Sequence, residues 1–312
     1  MAKLPSLHAA AFNSSRRSPP LCPRFRTGCL LAAVSLLAGV SYAGERDAVH
    51  LSAIPEFAAE NWEALPRLHP AVVSIFEAKE NVAGYNMHPA MAHCDGMFWA
   101  MWSSGAWGED MPGQKVRFAS SVDGLRWSES AVLAEPDPEF MLTPTGFWVR
   151  DGELLAMACH RRGKPVVDGK RQKVVGRLDH TLRIYRYDVA RRAWDRVGAI
   201  PDTFNDKPVE RLSNGDWAMI RNTQAGNRFF AVGGTKAIDA WEFFPIPAPG
   251  DNHKMAESHL YELPDGAFSL LFRDNSRSNF LYRAFSEDRG RTWTNPVRTN
   301  FRDQTAKFSV LR

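Results

Sequence analysis

The chain has 312 residues, 44% of them hydrophobic and 24% charged, which supports a substantial core and excludes an intrinsically disordered chain or a coiled coil. Its formal charge of +4 points to an anionic partner only until residues 1–43 are set aside. Those hold Lys3, Arg16, Arg17, Arg24 and Arg26 and no acidic residue, so the remainder carries −1 and lacks the basic patch a nucleic-acid binder needs.

The basic start runs into CLLAAVSLLAGV at 29–40, too short for a comfortable membrane span, and then into Ser41-Tyr42-Ala43, a small-x-small cleavage pattern. Residues 1–43 are therefore expected to be a signal peptide, cut after Ala43. The mature protein is then secreted or periplasmic, with no stable membrane anchor. It keeps Cys94 and Cys159, expected as buried free thiols in neighbouring strands. No zinc-spaced His/Cys cluster, phosphate loop, dinucleotide glycine motif or serine elbow is present, so no metal or cofactor is expected beyond a structural Ca²⁺.

From residue 44 onward, helical periodicity is hard to find. Short aromatic and β-branched runs alternate instead with the turns Asp95-Gly96, Asp151-Gly152, Asn214-Gly215 and Asp265-Gly266, whose glycines stand 56, 63 and 51 residues apart. That period is a propeller blade's, and the fold class is all-β. Each unit is expected to open its fourth strand with a tryptophan: Trp127, Trp194, Trp241 and Trp293. Four blades fit between Met87 and Thr299. The segment from Lys307 reads as the first strand of a fifth, and 49–85, with VVSIF at 72–76, as an outer closing strand. On this reading 44–312 is a C-terminally truncated propeller domain of six or seven blades when complete, because an open sheet edge is avoided in native folds.

Two of the tryptophans close sharper text. One is Ser121-Val122-Asp123-Gly124-Leu125-Arg126-Trp127; the other is Ser286-Glu287-Asp288-Arg289-Gly290-Arg291-Thr292-Trp293, the Ser-x-Asp-x-Gly-x-Thr-Trp Asp-box. Their aspartates are expected to accept backbone N–H bonds inside a tight turn, which makes them structural rather than catalytic. Through these motifs the chain resembles the sialidase (neuraminidase) superfamily of Asp-box propellers. That resemblance implies a carbohydrate-active enzyme. True sialidases use an arginine triad, an Asp acid and a Tyr nucleophile paired with Glu, the first arginine lying in Arg-Ile-Pro. Here Asn86-Met87-His88-Pro89 stands at the comparable place, so exo-α-sialidase is the alternative. The longer strings from Asn86 to Trp127 and from Ser286 to Phe308 are similar to propeller enzymes that remove rhamnose from glucuronic acid, both α-L-rhamnosidases and rhamnose-glucuronate lyases.

Strand parity places the innermost-strand starts and the second-strand ends on the face opposite the Asp-boxes, around the axis. The starts carry Asn86, His88, Thr143, Thr145, Lys207, Glu210, His253, Lys254, Glu257 and His259; the ends carry Ser103, His160, Arg161, Arg221, Asn222, Arg273, Asp274 and Asn275. The recurrence of arginine in AMACHRR, WAMIRNT and SLLFRDN points to a carboxylate-bearing glycan as substrate, bound by Arg161, Arg221 and Arg273 with His160, Asn222 and Asn86. A single strand-end arginine is as readily explained by solvation or a neighbouring acid. The resemblance makes His88, His259 and Glu257 the candidates for proton transfer. Glu109 and Asp110, in SSGAWGEDMPGQ, fall in a loop on the same face, where an acid, a Ca²⁺ ligand and a loop brace all remain open. A non-catalytic glycan-binding propeller is the reading from a different class.

Overall fold

Each turn-bounded unit of the sequence folds into one antiparallel four-stranded sheet, innermost strand first. The computed structural model describes Arg67 and residues 69–78, 82–168, 170–174, 176–248 and 254–310. The expected leader, its cleavage point and His253 lie outside these residues. Blade 1 is β1 (Tyr85–Cys94), β2 (Met97–Gly105), β3 (Lys115–Ser121) and β4 (Ala131–Ala134). Blade 2 begins with β5 (Phe140–Arg150) and β6 (Glu153–Arg162). A small hairpin, β7 (Val166–Val167) and β8 (Lys170–Arg171), interrupts it before β9 (Thr181–Asp188) and β10 (Ala193–Pro201). Blade 3 is β11 (Glu210–Arg211), β12 (Trp217–Asn222), β13 (Arg228–Gly233) and β14 (Trp241–Ile246). Blade 4 is β15 (Met255–Glu262), β16 (Phe268–Asp274), β17 (Phe280–Ser286) and β18 (Val297–Arg302). All four are arranged as blades of a propeller.

Local chemistry explains the hairpins. Asp95-Gly96 and Asp151-Gly152 have positive φ at both positions (49° and 73°, 50° and 85°), the two-residue turn whose twist matches the flanking strands. At Asn214-Gly215 and Asp265-Gly266 only the glycine is left-handed, and each loop is wider, closed by Gly215 N–H to Leu212 and Gly266 N–H to Leu263. Blades then stack through alternate side chains. Leu154, Ala156 and Ala158 face blade 1; Leu155 and Met157 face blade 3, where Trp148 meets Trp217 at 5.6 Å and Trp241 at 5.8 Å. Phe268, Leu270 and Phe272 of β16 pack against Ile220 and Phe230 of blade 3.

The two Asp-boxes are structural. Asp123 accepts from the N–H groups of Leu125 (2.9 Å) and Arg126 (2.7 Å), and Trp127 Nε1 donates to the Gly124 carbonyl (3.0 Å). Asp288 accepts from Thr292 N–H (2.8 Å) and its hydroxyl (2.6 Å). The Ser286 hydroxyl bonds Asp288 and accepts from Gly290 N–H, and Trp293 Nε1 donates to the Gly290 carbonyl. Burial pushes the Asp288 carboxyl up, but the Thr292 and Ser286 bonds outweigh it and hold it below the usual range.

Several expectations need correction. Trp194 and Trp241 do lie at the start of fourth strands, but Trp127 and Trp293 sit in the turns ahead of β4 and β18. Trp293 is buried whereas Trp127 is half-buried, on the face of blade 1 turned away from blade 2. No strand forms over the described residues 69–78; instead Ile75 and Phe76 pack on that face, Phe76 against Trp102 at 5.5 Å. Nor does 307–310 form the first strand of a fifth blade. It is held against the inner ends of blades 3 and 4 by Lys207, whose ammonium donates to the Phe308 carbonyl and the Ser309 hydroxyl, and by Val310 N–H, which donates to His259. Cys94 and Cys159 are buried free thiols as expected. Trp99, Trp102 and Trp148 are core, whereas Trp107 is exposed.

Candidate functional site

Where innermost strands begin and second strands end, the blades leave a cavity of roughly 300 Å³. Blade 1 contributes His88, Glu109 and Asp110; blade 2 Thr143, Pro144 and Arg161; blades 3 and 4 Asp206, Asn222, Arg228, Glu257 and Arg273, with Lys307 from the C-terminal segment.

His88 enters the cavity from a bulge in β1, where the pairing with β2 shifts register between Met87 and Ala90. Its backbone is left-handed (φ 55°), a conformation that costs about 1–3 kcal/mol away from glycine. The Ser103 hydroxyl, which also reaches the Met87 carbonyl (2.8 Å), lies 3.1 Å from His88 Nδ1. Nε2 lies 3.2 Å from Glu109 Oε1. Burial first, then Lys307, pull the His88 pKa below 6.5, against Glu109, Asp110 and Glu257.

The carboxylates differ in company. Asp110 is ion-paired through both oxygens, to Arg161 (2.5 Å) and Lys164 (2.7 Å), so of the three roles open to this loop the structure favours the brace. Glu257 lies 2.7 Å from Arg273 Nε. Asp206 is buried, accepts a hydrogen bond from Asn222 Nδ2 (3.0 Å), and is pushed up to about 6 by burial and by Glu257.

Of the residues expected from sequence, His88, Glu257, Arg161, Asn222 and Arg273 meet in this cavity. Arg221 does not. It points to the other face of β12, donating to the Asp202 carbonyl (3.2 and 3.3 Å) with its guanidinium over Phe243 and Phe229. Residues alternate faces along a strand, and the face toward the next blade carries Met157 and Arg161 in β6, Ile220 and Asn222 in β12, and Arg273 in β16. The middle arginine of the triple recurrence is thus one residue out of phase. His160 is stacked on Phe140 (4.4 Å) with Nε2 3.1 Å from Asp137, and burial lowers it to about 4. His259 accepts Val310 N–H on Nδ1, so its proton sits on Nε2 toward Glu210 at 3.2 Å, and both nitrogens are committed to the fold. Asn86 donates to the Ala83 carbonyl. None of these lines the cavity.

Sequence reasoning missed Arg228 and Asp206. Arg228 opens β13 directly opposite Asn222, so the hairpin register returns an arginine to the cavity end of blade 3; its guanidinium donates to the carbonyls of Met255 and Ala256. Asp206 lies in the crossing from blade 2, pinned by the Phe204–Asn222 bridge. A short hairpin between WAMIRN and RFFAVG was the available signal for the first; nothing local marks the second.

No family model and no curated protein matches the sequence. Solved structures with the same fold include the NanB sialidase of Streptococcus pneumoniae, with TM-score 0.58 and 10% identity over 80% of this chain and 57% of that one. A leech intramolecular trans-sialidase has TM-score 0.56 and 12% identity over 75% of this chain and 54% of its own. A protein of unknown function from Dyadobacter fermentans has TM-score 0.56 and 14% identity over 73% and 72%. The chain spans little more than half the length of these two sialidases. These likenesses show the fold, a sialidase-like β-propeller.

Proposed function

We propose that this protein is a carbohydrate-active enzyme that cleaves a glycosidic bond at the end of an acidic glycan. The observation that carries the reading is the convergence of Arg161, Arg228 and Arg273, one from each of three blades, with Lys307 on a cavity that also holds His88, Asp206 and Glu257. Arginines suit a uronate carboxylate. Each is anchored by part of its guanidinium to Asp110, to the Met255 and Ala256 carbonyls, or to Glu257, which orients the fork before substrate arrives. Cleavage needs a proton for the leaving oxygen and an acceptor for a proton from water. The cavity offers acid–base groups on both sides, His88 with Glu109 on blade 1 and the Asp206 and Glu257 carboxyls on blades 3 and 4. The neutral His88 ring has one basic nitrogen, and Glu109 would stabilise the imidazolium formed on protonation. His88 instead of an arginine at the start of blade 1 favours a substrate other than sialic acid, and rhamnose linked to glucuronic acid is the first to try.

Incubation with rhamnose-capped acidic arabinogalactan should release rhamnose without new absorbance from an unsaturated uronate. His88→Asn, which tolerates the left-handed backbone, should lower kcat by about 10²- to 10⁴-fold. Appearance of the unsaturated product would replace hydrolysis with elimination, and binding without turnover would make the protein a glycan-binding propeller. We place the reaction outside the cytoplasm, on the strength of the leader at 1–43. Mature protein from an exporting host should begin at Gly44; an intact Met1 would refute export by cleavage.

A further inference from the structure

Four carboxyl groups line the central cavity, and two of them have a cation within ion-pair distance: Asp110 has Arg161 and Lys164, and Glu257 has Arg273. Glu109 lies against the His88 imidazole at 3.2 Å. Asp206 has neither kind of partner among the described residues: its hydrogen bond comes from the neutral Asn222 amide, and no cation lies within ion-pair distance. It is also the most deeply placed of the four, 9% exposed in a crossing loop closed over by β12 through the Phe204–Asn222 bridge.

We propose that Asp206 is the general acid of the cavity, the group that protonates the leaving glycosidic oxygen. The proposal rests on the glycosidase reading above and adds a role to it. In the step, the Asp206 O–H passes its proton to the glycosidic oxygen while the bond from the anomeric carbon to that oxygen breaks. The bonding pair stays on the oxygen, which leaves as an alcohol. Water adds to the anomeric carbon and gives its proton to the His88 imidazole, and the two groups return to their starting states through solvent.

Electrostatics agrees with the geometry. Burial raises the Asp206 pKa most, and Glu257 from β15 raises it further; Lys307 and Arg228 from β13 oppose them, as does the Asn222 bond, and the result is about 6. Lys207, next in the chain, and the Cys159 thiol of β6 complete its ionisable surroundings; burial holds Lys207 below its usual range and the thiol up at about 12. Such a group is a proton donor near neutral pH, whereas an ordinary aspartic acid is not.

Leaving-group dependence tests the role. Asp206→Asn keeps the shape and still accepts from Asn222. It should cut kcat/KM on the natural glycan by about 10²- to 10⁴-fold. On a nitrophenyl glycoside of the same sugar, whose leaving group needs no proton, the loss should be less than about tenfold, and the alkaline limb of the pH profile should disappear. A second readout is stability. A carboxyl with a raised pKa in the folded state favours folding at low pH, and that contribution is lost as pH rises from about 4 through about 6. The variant should therefore melt higher than the wild type at pH 8, with the difference vanishing at pH 4. Equal losses on both substrates, or an unchanged alkaline limb, would overturn the assignment while leaving the glycosidase reading intact. A wild-type protein that turns over neither substrate would instead remove that reading and the assignment with it.

Discussion

Replacing Arg228 by alanine should reduce kcat/KM on an acidic glycan by about 30- to 5,000-fold, which is the cost of about 2–5 kcal/mol for leaving a buried charged partner unpaired. Three features make this the arginine to test. It lies between Arg161 and Arg273 in blade order, it lines the cavity, and its guanidinium is buried enough that desolvation lowers its pKa despite Asp206 and Glu257. Such a group is poorly solvated before substrate binds, so a carboxylate gains more from it than from a surface cation. Arg228→Lys should recover little, since a point charge does not reproduce a planar fork. Arg221→Ala is the control: seven residues earlier, in β12, it rests on Phe229 and Phe243 outside the cavity, and its loss should leave kcat/KM within a few-fold of wild type. Measuring both variants on the glycan and on its carboxyl-reduced counterpart separates charge recognition from damage to the fold. If Arg228→Ala loses equally on the two substrates, the arginine is structural and the acidic-glycan reading loses its main support.

Gly290→Ala should destabilise the protein by about 2–5 kcal/mol, through two additive causes. The residue is left-handed (φ 88°), which costs about 1–2 kcal/mol for any side chain with a Cβ. A Cβ there would also stand 2.4 Å from the ring of Phe230, which is fully buried in blade 3 and packs on Trp293 at 5.9 Å. Relieving that overlap moves a core side chain, at about 1–3 kcal/mol. Gly215→Ala isolates the first cause. Its φ is also 88°, but nothing lies within 4 Å of the added carbon, so its cost should stay near 1–2 kcal/mol. Urea midpoints compared at constant slope measure both. Equal effects would mean that the Asp-box glycine serves only its own turn and does not join blade 4 to blade 3.

Interactions within a few residues of each other are what the amino-acid sequence determined unaided. The turns at Asp95-Gly96 and Asp151-Gly152, the Asp-box bonds of Asp123 and Asp288, and the tryptophan that closes each box all span eight residues or fewer, so residue types at fixed spacing are enough to specify them. Repetition of those local units carried the reading up to four blades and to the end of the sheets where the cavity lies. Phase and company were decided elsewhere. Whether Arg221 or Asn222 points to the axis depends on which face of β12 packs on blade 2 and which on blade 4, and Arg228 reaches the cavity only through its register opposite Asn222. His259 looked available at a strand start until Val310, 51 residues on, occupied its Nδ1, and His160 was taken up by Phe140 and Asp137. Asp206 depends still more on distant chain. Its proton affinity comes from burial of its own crossing loop against β12 and from Glu257 one blade away, and electrostatic environments of that kind exist only once the blades have closed around them.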